Sequence, residues 1–388
     1  MFEEGEKLRK EFGADKVFDF SLGNPDLEPP PEFALALGRL ALDTSLGTHG
    51  YMPNAGYPAV REAVAAHASR EQGVAIPASN IVMTVGAAGA INVAFRTLLD
   101  PGDEVLVIRP WFAEYWFYVQ NYGGVFVEAP SGPGFHLDFA AIEAALTPRT
   151  AVVMINSPNN PTGVIYTRDE LVGLAALLTA HGERTGKRPC LIADEPYRQI
   201  VFGGAEVPSV LGIYPETLVV TSWSKSLSLP GERIGYIAVS PTAEGAREIV
   251  DGLTMSTRIL GFVNAPALLQ RSVAEILESR ADVSSYERRC RLLSKGLRDA
   301  GYEFPEPEGA FYIFARVPTR GVESVRGDDG GRDDVEFAMH LKRFNILAVP
   351  GVGFGCRGWF RLSFCVPEKT IRGSIPGFAR AIEEWKTR

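Results

Sequence analysis

The chain has 388 residues, of which 46% are hydrophobic and 22% charged, and its formal net charge is −8. This length exceeds what a single hydrophobic core comfortably fills, so an ordinary globular protein with two domains is expected. The basic residues are scattered through an acidic chain, and this pattern argues against nucleic acid as a partner.

The sequence carries no signal for a membrane or for export. Residues 1–10 are charged and lack the apolar segment of a signal peptide, and no stretch of the sequence reaches membrane-spanning length. The four cysteines, Cys190, Cys290, Cys356 and Cys365, show no CxxC spacing, as expected of reduced thiols. We therefore expect a soluble, cytoplasmic protein without a membrane partner.

Short β-rich runs alternate with helical patterns in the middle of the chain. The runs lie at 81–85, 104–108, 125–128, 151–156, 191–194, 218–222 and 234–239. The alternation predicts an α/β fold, with a mostly parallel sheet covered by helices in a three-layer large domain. The last connection, 223–233, is too short and polar for a helical crossover. The seventh strand should therefore run antiparallel to the sixth, which makes the seven-stranded sheet mixed.

The rest of the chain predicts a smaller α+β domain. A long helical stretch at 266–300 is followed by alternating short strand-like and helical segments, at 310–315, 335–343, 345–349, 359–365 and 371–385. Residues 327–332 are expected to form an exposed loop. The N-terminal arm has four closely spaced prolines, Pro25, Pro29, Pro30 and Pro31, so it should not be helical and should lie across another surface.

These patterns give a division into domains. Residues 1–45 are expected to form the arm and part of the small domain, residues 46–275 the large domain, and residues 276–388 the small C-terminal domain.

Four predicted strand ends carry a polar or glycine-rich motif, and ligands of open α/β sheets bind at such ends. The first, Gly86-Ala87-Ala88-Gly89, turns a strand into a helix, and its small residues let backbone amides approach an anion. This indicates a phosphate site, although a turn chosen for packing explains the motif at least as well when it is taken alone.

The next two motifs supply polar side chains. Within 157–163, two prolines hold Asn160 where its amide could donate to a phenolate oxygen. Asp194 ends an apolar run, and a carboxylate there needs a cation, either a protonated pyridine nitrogen or a structural salt bridge. Tyr197, three residues later, could reach an oxygen of the same ring.

The fourth motif, Ser222-Trp223-Ser224-Lys225 followed by Arg233, places an amine beside hydroxyls and a guanidinium. A desolvated lysine forms Schiff bases readily, although a lysine after a strand is commonly a solvated loop residue. Together the four motifs supply an amine, an anion site, a carboxylate and two donors to an oxygen. This inventory predicts pyridoxal 5′-phosphate as the cofactor.

The ordered motifs resemble those of class I aminotransferases, in the aspartate aminotransferase superfamily of fold-type I pyridoxal phosphate enzymes. The resemblance runs from Gly23-Asn24-Pro25 to Arg361-Leu362-Ser363. It implies a pyridoxal phosphate-dependent aminotransferase that moves an amino group between an L-amino acid and a 2-oxo acid. By this resemblance Lys225 is the Schiff-base lysine and general base, Asp194 pairs with the ring nitrogen, and Tyr197 bonds the ring 3-oxygen with Asn160.

The resemblance also implies further cofactor contacts. The phosphate would be held by Ala87, Ala88, Ser222 and Arg233. Phe112 would stack on the ring, although the neighbouring Trp111 could match the same position. Tyr51 of the neighbouring subunit would contact the phosphate, which implies a homodimer with shared active sites.

The expected substrate contacts are Arg361, Gly23 and Asn160. Arg361 lies in an alternating strand, and its planar fork suits a bidentate grip on an α-carboxylate, although a strand arginine is commonly a solvated surface residue. Gly23 matches a glycine that contacts the same carboxylate on closure, so the arm is expected to form part of a lid.

The sequence leaves the substrate side chain open. A dicarboxylate needs a second cation, and Arg258 from a partner subunit is one weak candidate; Trp111, Tyr115 and Trp116 could instead line an aromatic or aliphatic pocket. Two other functions stay open: a carbon–sulfur β-lyase with the same cofactor, and an amino-acid sensor in a transcriptional regulator. A sensor would carry a DNA-binding module, for which we expect no room before the arm.

Overall fold

The computed structural model describes residues 2–319 and 333–387, so the loop expected at 327–332 lies outside the described residues. The helices are α1 Phe2–Phe12, α2 Pro31–Ala41, α3 Pro58–Gln72, α4 Gly86–Leu98, α5 Glu114–Gln120, α6 Phe139–Ala145, α7 Arg168–Thr185, α8 Trp223–Ser226, α9 Ala246–Ile259, α10 Ala267–Ala274, α11 Val283–Asp299, α12 Asp333–Lys342 and α13 Glu368–Lys386. The strands are β1 Phe18–Asp19, β2 Ile81–Thr84, β3 Glu104–Ile108, β4 Val125–Ala129, β5 Thr150–Asn156, β6 Cys190–Asp194, β7 Thr217–Ser222, β8 Gly235–Val239, β9 Tyr312–Arg316, β10 Ile346–Leu347, β11 Val349–Pro350 and β12 Trp359–Ser363.

The central sheet has seven strands in the order β2-β8-β7-β6-β5-β3-β4. Strand β8 runs antiparallel to both of its neighbours, while β3 to β7 pair in parallel, so the mixed sheet predicted from the sequence is confirmed. Since β2 and β7 flank the antiparallel strand, they point the same way. The carboxyl ends of all six other strands therefore meet at one edge.

Two hydrophobic cores cover the two faces of this sheet. In β5, Val153 and Ile155 belong to one core, whereas Val152 and Met154 belong to the other, as the alternation of side chains along a strand requires. Both faces are buried, which explains why the strands read as continuous apolar runs. The α/β three-layer arrangement predicted for this part of the chain is confirmed.

A third core lies under the small C-terminal sheet, whose strands run in the order β11-β12-β9. Phe20 from the N-terminal segment is fully buried in this core. The preceding strand β1 pairs in parallel with β10, through Phe18 and Ile346 and through Asp19 and Leu347. The start of the chain is thus packed against its C-terminal part.

The prediction of a non-helical arm is wrong in part. Helix α1 precedes the prolines, and α2 begins at Pro31 itself. Proline disrupts a helix interior, but it is well tolerated at the first helical position, where its missing N–H has no partner to lose. Between the two helices, residues 17–30 contain no helix, as expected, and this segment contacts distant parts of the chain, for example through the Gly23 carbonyl and Lys225.

The single helical stretch expected at 266–300 is two helices, α10 and α11. Between them the Ala281 N–H donates to the carbonyl of Ser226 at 3.1 Å. This contact joins residues far apart in the chain, so the periodicity of the sequence does not reveal the break. Within residues 2–319 and 333–387, none of the helices combines the length and the apolar character needed to cross a bilayer.

Candidate active site

A cavity of about 440 Å³ opens at the edge where the carboxyl ends of the parallel strands meet. The structure brings nearly all of the predicted site residues to its wall. These are Gly23, Ala87, Ala88, Phe112, Asn160, Asp194, Tyr197, Ser222, Lys225, Arg233 and Arg361. Residues separated by more than 300 positions in sequence therefore face one space.

Lys225 lies in the short helix α8, directly after β7. Its Nζ donates to the carbonyl oxygen of Gly23 at 2.7 Å and lies 5.6 Å from the centre of the Phe311 ring. Burial lowers the pKa of Lys225 to about 8, and the positive charges of Arg361 and Arg233 act in the same direction. A substantial fraction of this amine is therefore neutral near pH 8 and able to act as a base or nucleophile.

Asp194 ends β6 and is almost entirely buried. Its Oδ2 accepts a hydrogen bond from the Tyr115 hydroxyl at 2.5 Å, whereas Oδ1 has no hydrogen-bond partner among the described residues. Burial raises the pKa of Asp194 to about 7. A buried carboxyl oxygen without a donor is costly, so this site is suited to a group that brings one, best of all with a positive charge.

Asn160 is held by a residue four positions earlier in the chain, whereas Tyr197 is held by one from the C-terminal part of the chain. The Asn160 backbone N–H donates to Asn156 Oδ1 at 2.7 Å, and the Ser157–Pro158 peptide bond before it is cis. The hydroxyls of Tyr197 and Tyr312 are 2.8 Å apart. Both polar side chains therefore reach the cavity from fixed positions.

The start of helix α4, Arg233 and Ser222 form a cup lined by hydrogen-bond donors. Val85 at the N-cap of α4 provides no side-chain hydrogen bond, so the amides of the first turn depend on another acceptor. Gly86 has a φ of 69°, and a Cβ there would lie 2.9 Å from Nη2 of Arg233. The guanidinium is thus packed against the start of the helix, with the buried Ser222 at the end of β7 nearby on the same wall.

Arg361 in β12 is a buried cation that has no acidic partner within residues 2–319 and 333–387. It is 8% exposed, and its guanidinium lies 4.8 Å from the ring centre of Tyr312 and 4.9 Å from that of Phe354. Nη1 donates to Asn160 Oδ1 at 3.0 Å and Nη2 to the Ser21 carbonyl at 2.7 Å, but Nε has no partner. In the described part of the chain no carboxylate lies within ion-pair distance of it, so the site is suited to an external anion.

Some predicted residues lie elsewhere. Tyr51 is 92% exposed and away from the cavity of its own chain. Arg258 is exposed at the end of α9. The aromatic pocket considered for Trp111, Tyr115 and Trp116 is wrong for this cavity. Tyr115 is buried against Asp194, the Trp111 indole donates to Glu128 at 2.5 Å, and Trp116 is 39% exposed.

Several residues of the site were given no site role from the sequence. Asn156 adjoins one recognised motif, Ser224 lies within another, and Tyr115 follows Phe112 by three positions, so their places in the site could have been predicted. Tyr312 and Phe354 had no local signal, because they reach the cavity from the C-terminal part of the chain.

Comparison with known proteins gives a consistent result. The family model described as aminotransferase class I and II matches residues 15–375. A relative from Thermus aquaticus named probable aspartate/prephenate aminotransferase is 35% identical over 387 residues, covering 97% of this chain and 94% of its own. The crystal structure of an amino transferase from Eubacterium rectale has a TM-score of 0.93 at 36% identity, covering 100% of this chain and 95% of that one. The structure of a single mutant of Thermus thermophilus aspartate aminotransferase has a TM-score of 0.84 at 30% identity, covering 98% of this chain and 95% of that one.

Proposed function

The chain belongs to the class I and II aminotransferase family and is an aminotransferase, and we propose that its cavity binds pyridoxal 5′-phosphate and works by a ping-pong mechanism on an L-amino acid and a 2-oxo acid. One observation carries the proposal. The partly neutral amine of Lys225 shares a cavity with the buried carboxyl of Asp194 and the buried guanidinium of Arg361, and neither of these two has an ion-pair partner among the described residues.

The residues present fit the cofactor that the family uses. The partnerless Oδ1 of Asp194 would accept from the ring nitrogen, and Asn160 and Tyr197 would bond the ring 3-oxygen. The face of Phe112 would stack on the ring. The phosphate would lie in the cup, held by Ala87, Ala88, Ser222 and Arg233.

When bound, pyridoxal phosphate supplies an aldehyde that condenses with amines and a protonated ring that takes up the electron pair left at Cα. Lys225 would hold the cofactor through its Nζ, and the same Nζ, once free, would take the proton from the substrate Cα. Asp194 would hold the proton on the ring nitrogen. Each unit of pKa difference in that pairing corresponds to about 1.4 kcal/mol.

The substrate would be gripped by its α-carboxylate. Arg361 offers a free Nε and a fork already oriented by Asn160 and by the carbonyl of Ser21. Gly23 lies opposite Lys225 in the arm, and this placement supports a lid that excludes water when it closes. The pairing of β1 with β10 supports our assignment of residues 1–45 partly to a small domain completed by residues 276–388.

We also propose a homodimer in a cytoplasmic setting. Tyr51 is exposed on its own chain, as expected of a residue lent to the phosphate of a neighbouring subunit. The four cysteines are free thiols, which supports a reducing compartment.

Replacing Lys225 tests the proposed function. Lys225→Ala should lose both transamination and the visible absorbance of the bound cofactor, while circular dichroism shows an unchanged fold. Lys187→Ala is the matched control, because Lys187 is exposed and pairs with Asp103 at 2.9 Å far from the cavity. Retained turnover in the Lys225 variant would contradict the assignment.

A panel of amino donors separates transamination from elimination. We expect each accepted amino acid to convert the bound cofactor to pyridoxamine phosphate, detected by its absorbance. Release of pyruvate and ammonia from cystathionine without that conversion would instead identify a carbon–sulfur lyase.

A further inference from the structure

Glu114 is a charged side chain on the cavity wall that the proposed function does not use. The other charged residues among the described lining are Asp194, Lys225, Arg233 and Arg361, and each has a place in cofactor or carboxylate binding. Glu114 is the first residue of α5, two positions after Phe112 and one before Tyr115. Of these two residues, Phe112 lines the cavity and Tyr115 donates a hydrogen bond to Asp194.

Glu114 lines the cavity wall, and its side chain is exposed there. It makes no ion pair in the described part of the chain, although the charge of Arg361 is close enough to lower its pKa. Partial burial of the carboxyl has a larger effect in the opposite direction and raises the pKa of Glu114, although the side chain is still exposed at the cavity mouth. The cavity wall therefore carries the acidic side chain of Glu114 in addition to the guanidinium of Arg361.

Apart from Lys225, Arg233 and Arg361, the described residues that line the cavity include no cation for a second carboxylate. Leu22, Ile91, Val349 and Phe354 contribute apolar surface. Lys225, Arg233 and Arg361 are the basic residues of the described lining, and all three are engaged by the proposed chemistry. A substrate held at its α-carboxylate by Arg361 and at Cα by Lys225 must direct its side chain along the remaining wall.

We propose that Glu114 determines substrate specificity by favouring amino acids with a cationic side chain over those with a distal carboxylate. This rests on the proposed function. A distal ammonium or guanidinium would find an opposite charge in a cavity partly shielded from water, while a distal carboxylate would meet a like charge. Because the mouth is open, the effect on kcat/KM is modest, about three- to tenfold.

Steady-state kinetics test the inference with matched donors. We compare L-lysine with L-norleucine, which lacks only the terminal amine, and with L-glutamate, using pyruvate as the acceptor. The kcat/KM ratio of lysine to norleucine should fall about three- to tenfold in Glu114→Gln. In Glu114→Lys the preference should move toward glutamate. Glu143→Gln, an exposed change on α6 away from the cavity, should leave the ratios unaltered.

A binding measurement gives a second readout without turnover. Calorimetry on the cofactor-saturated enzyme compares hexanoate, 6-aminohexanoate and adipate. We expect 6-aminohexanoate to bind more tightly than hexanoate in the wild type, to lose that advantage in Glu114→Gln and to bind worse than adipate in Glu114→Lys.

The outcomes separate the two proposals. If the wild type transfers no amino group from any donor, the proposed function fails, while the calorimetric series still reports on Glu114. If norleucine is transaminated but the lysine ratio and the carboxylate affinities are the same in wild type and both Glu114 variants, the specificity inference is overturned and the aminotransferase assignment stands.

Discussion

Asp194 is a buried carboxyl whose ionised form is disfavoured by the fold of the cofactor-free protein. Burial raises its pKa from 3.8 to about 7, so the folded chain binds this proton more tightly than the unfolded chain. The free energy of unfolding of the cofactor-free protein therefore falls as the pH rises from about 4 to about 7 and then levels off. A cationic ring nitrogen would remove this cost on binding.

Asp194→Asn should stabilise the cofactor-free protein while abolishing activity. At pH 8 the free energy of unfolding should rise by up to about 4 kcal/mol, because an amide avoids burying a charge. At pH 5 the gain should be clearly smaller, since the wild-type carboxyl is then protonated in the folded chain. Urea unfolding at both pH values measures this. Asp251→Asn, at an exposed site, is the control, and an equal gain at both pH values would disprove the account.

The Tyr115 hydroxyl donates to Asp194, so we expect Tyr115 to act through that carboxyl and not on the substrate itself. Its hydroxyl hydrogen bond favours the ionised carboxylate, so Tyr115→Phe should raise the pKa of Asp194 further. Activity that needs the ionised form would then be lost at a higher pH as the solution is acidified. We expect the acid limb of the kcat/KM profile to move up by about one pH unit. Tyr122→Phe, whose hydroxyl bonds Asn92 at 3.1 Å, should not move it.

At the scale of elements, the start of α4 depends on a glycine. The left-handed φ of Gly86 and its contact with Arg233 place the guanidinium beside the free amides of the first turn. A methyl group there would both strain the backbone and displace Arg233.

Gly86→Ala should therefore weaken cofactor binding by about tenfold, measured as the Kd for pyridoxal phosphate by equilibrium dialysis. Gly245→Ala separates the two causes. Gly245 has a similar φ of 66°, but its added Cβ would meet Glu248 at 3.6 Å, away from the cavity. If both variants bind the cofactor equally well, the cup is not the phosphate site.

The sequence predicts some elements well for a physical reason. Six of the seven strands of the large sheet are buried on both faces, and only the edge strand β4 is partly exposed, so most of them appear as short β-branched runs. The polar 223–233 connection correctly predicts the antiparallel β8. Helix α2 was missed because proline is ambiguous: it blocks a helix interior but favours a helix start. The break between α10 and α11 depends on a distant carbonyl that no local pattern encodes.

At the scale of the whole molecule, the site could be anticipated where sheet topology brings residues together. Asn160, Asp194 and Lys225 follow strands that end at one edge, so their convergence follows from the parallel order. Tyr312 and Phe354 come from the C-terminal part of the chain, and their contacts with Tyr197 and Arg361 arise only from packing. The roles assigned to these residues stay predictions until the variants are measured.

If the active sites are shared between subunits, two inactive variants should complement each other in a hybrid dimer. In the proposed dimer, Tyr51 completes the site that contains Lys225 of the neighbouring subunit. Tyr51→Ala should be well folded because its side chain is exposed, but it should bind cofactor weakly. When Tyr51→Ala and Lys225→Ala chains are co-expressed, each hybrid dimer regains one site with both native residues. Half of randomly paired dimers are hybrids, so activity should recover to about a quarter of the wild-type value.

Co-expression of Lys225→Ala with Asp194→Ala provides the matched control. Both residues belong to the cavity of one chain, so every site in such a hybrid lacks one of them and no recovery is expected. Recovery in the first mixture but not in the second requires that a site draws residues from two chains. Activity no greater than the sum of the parents in both mixtures would show that Tyr51 does not serve a neighbouring subunit, while leaving the assignment of Lys225 to its own chain intact.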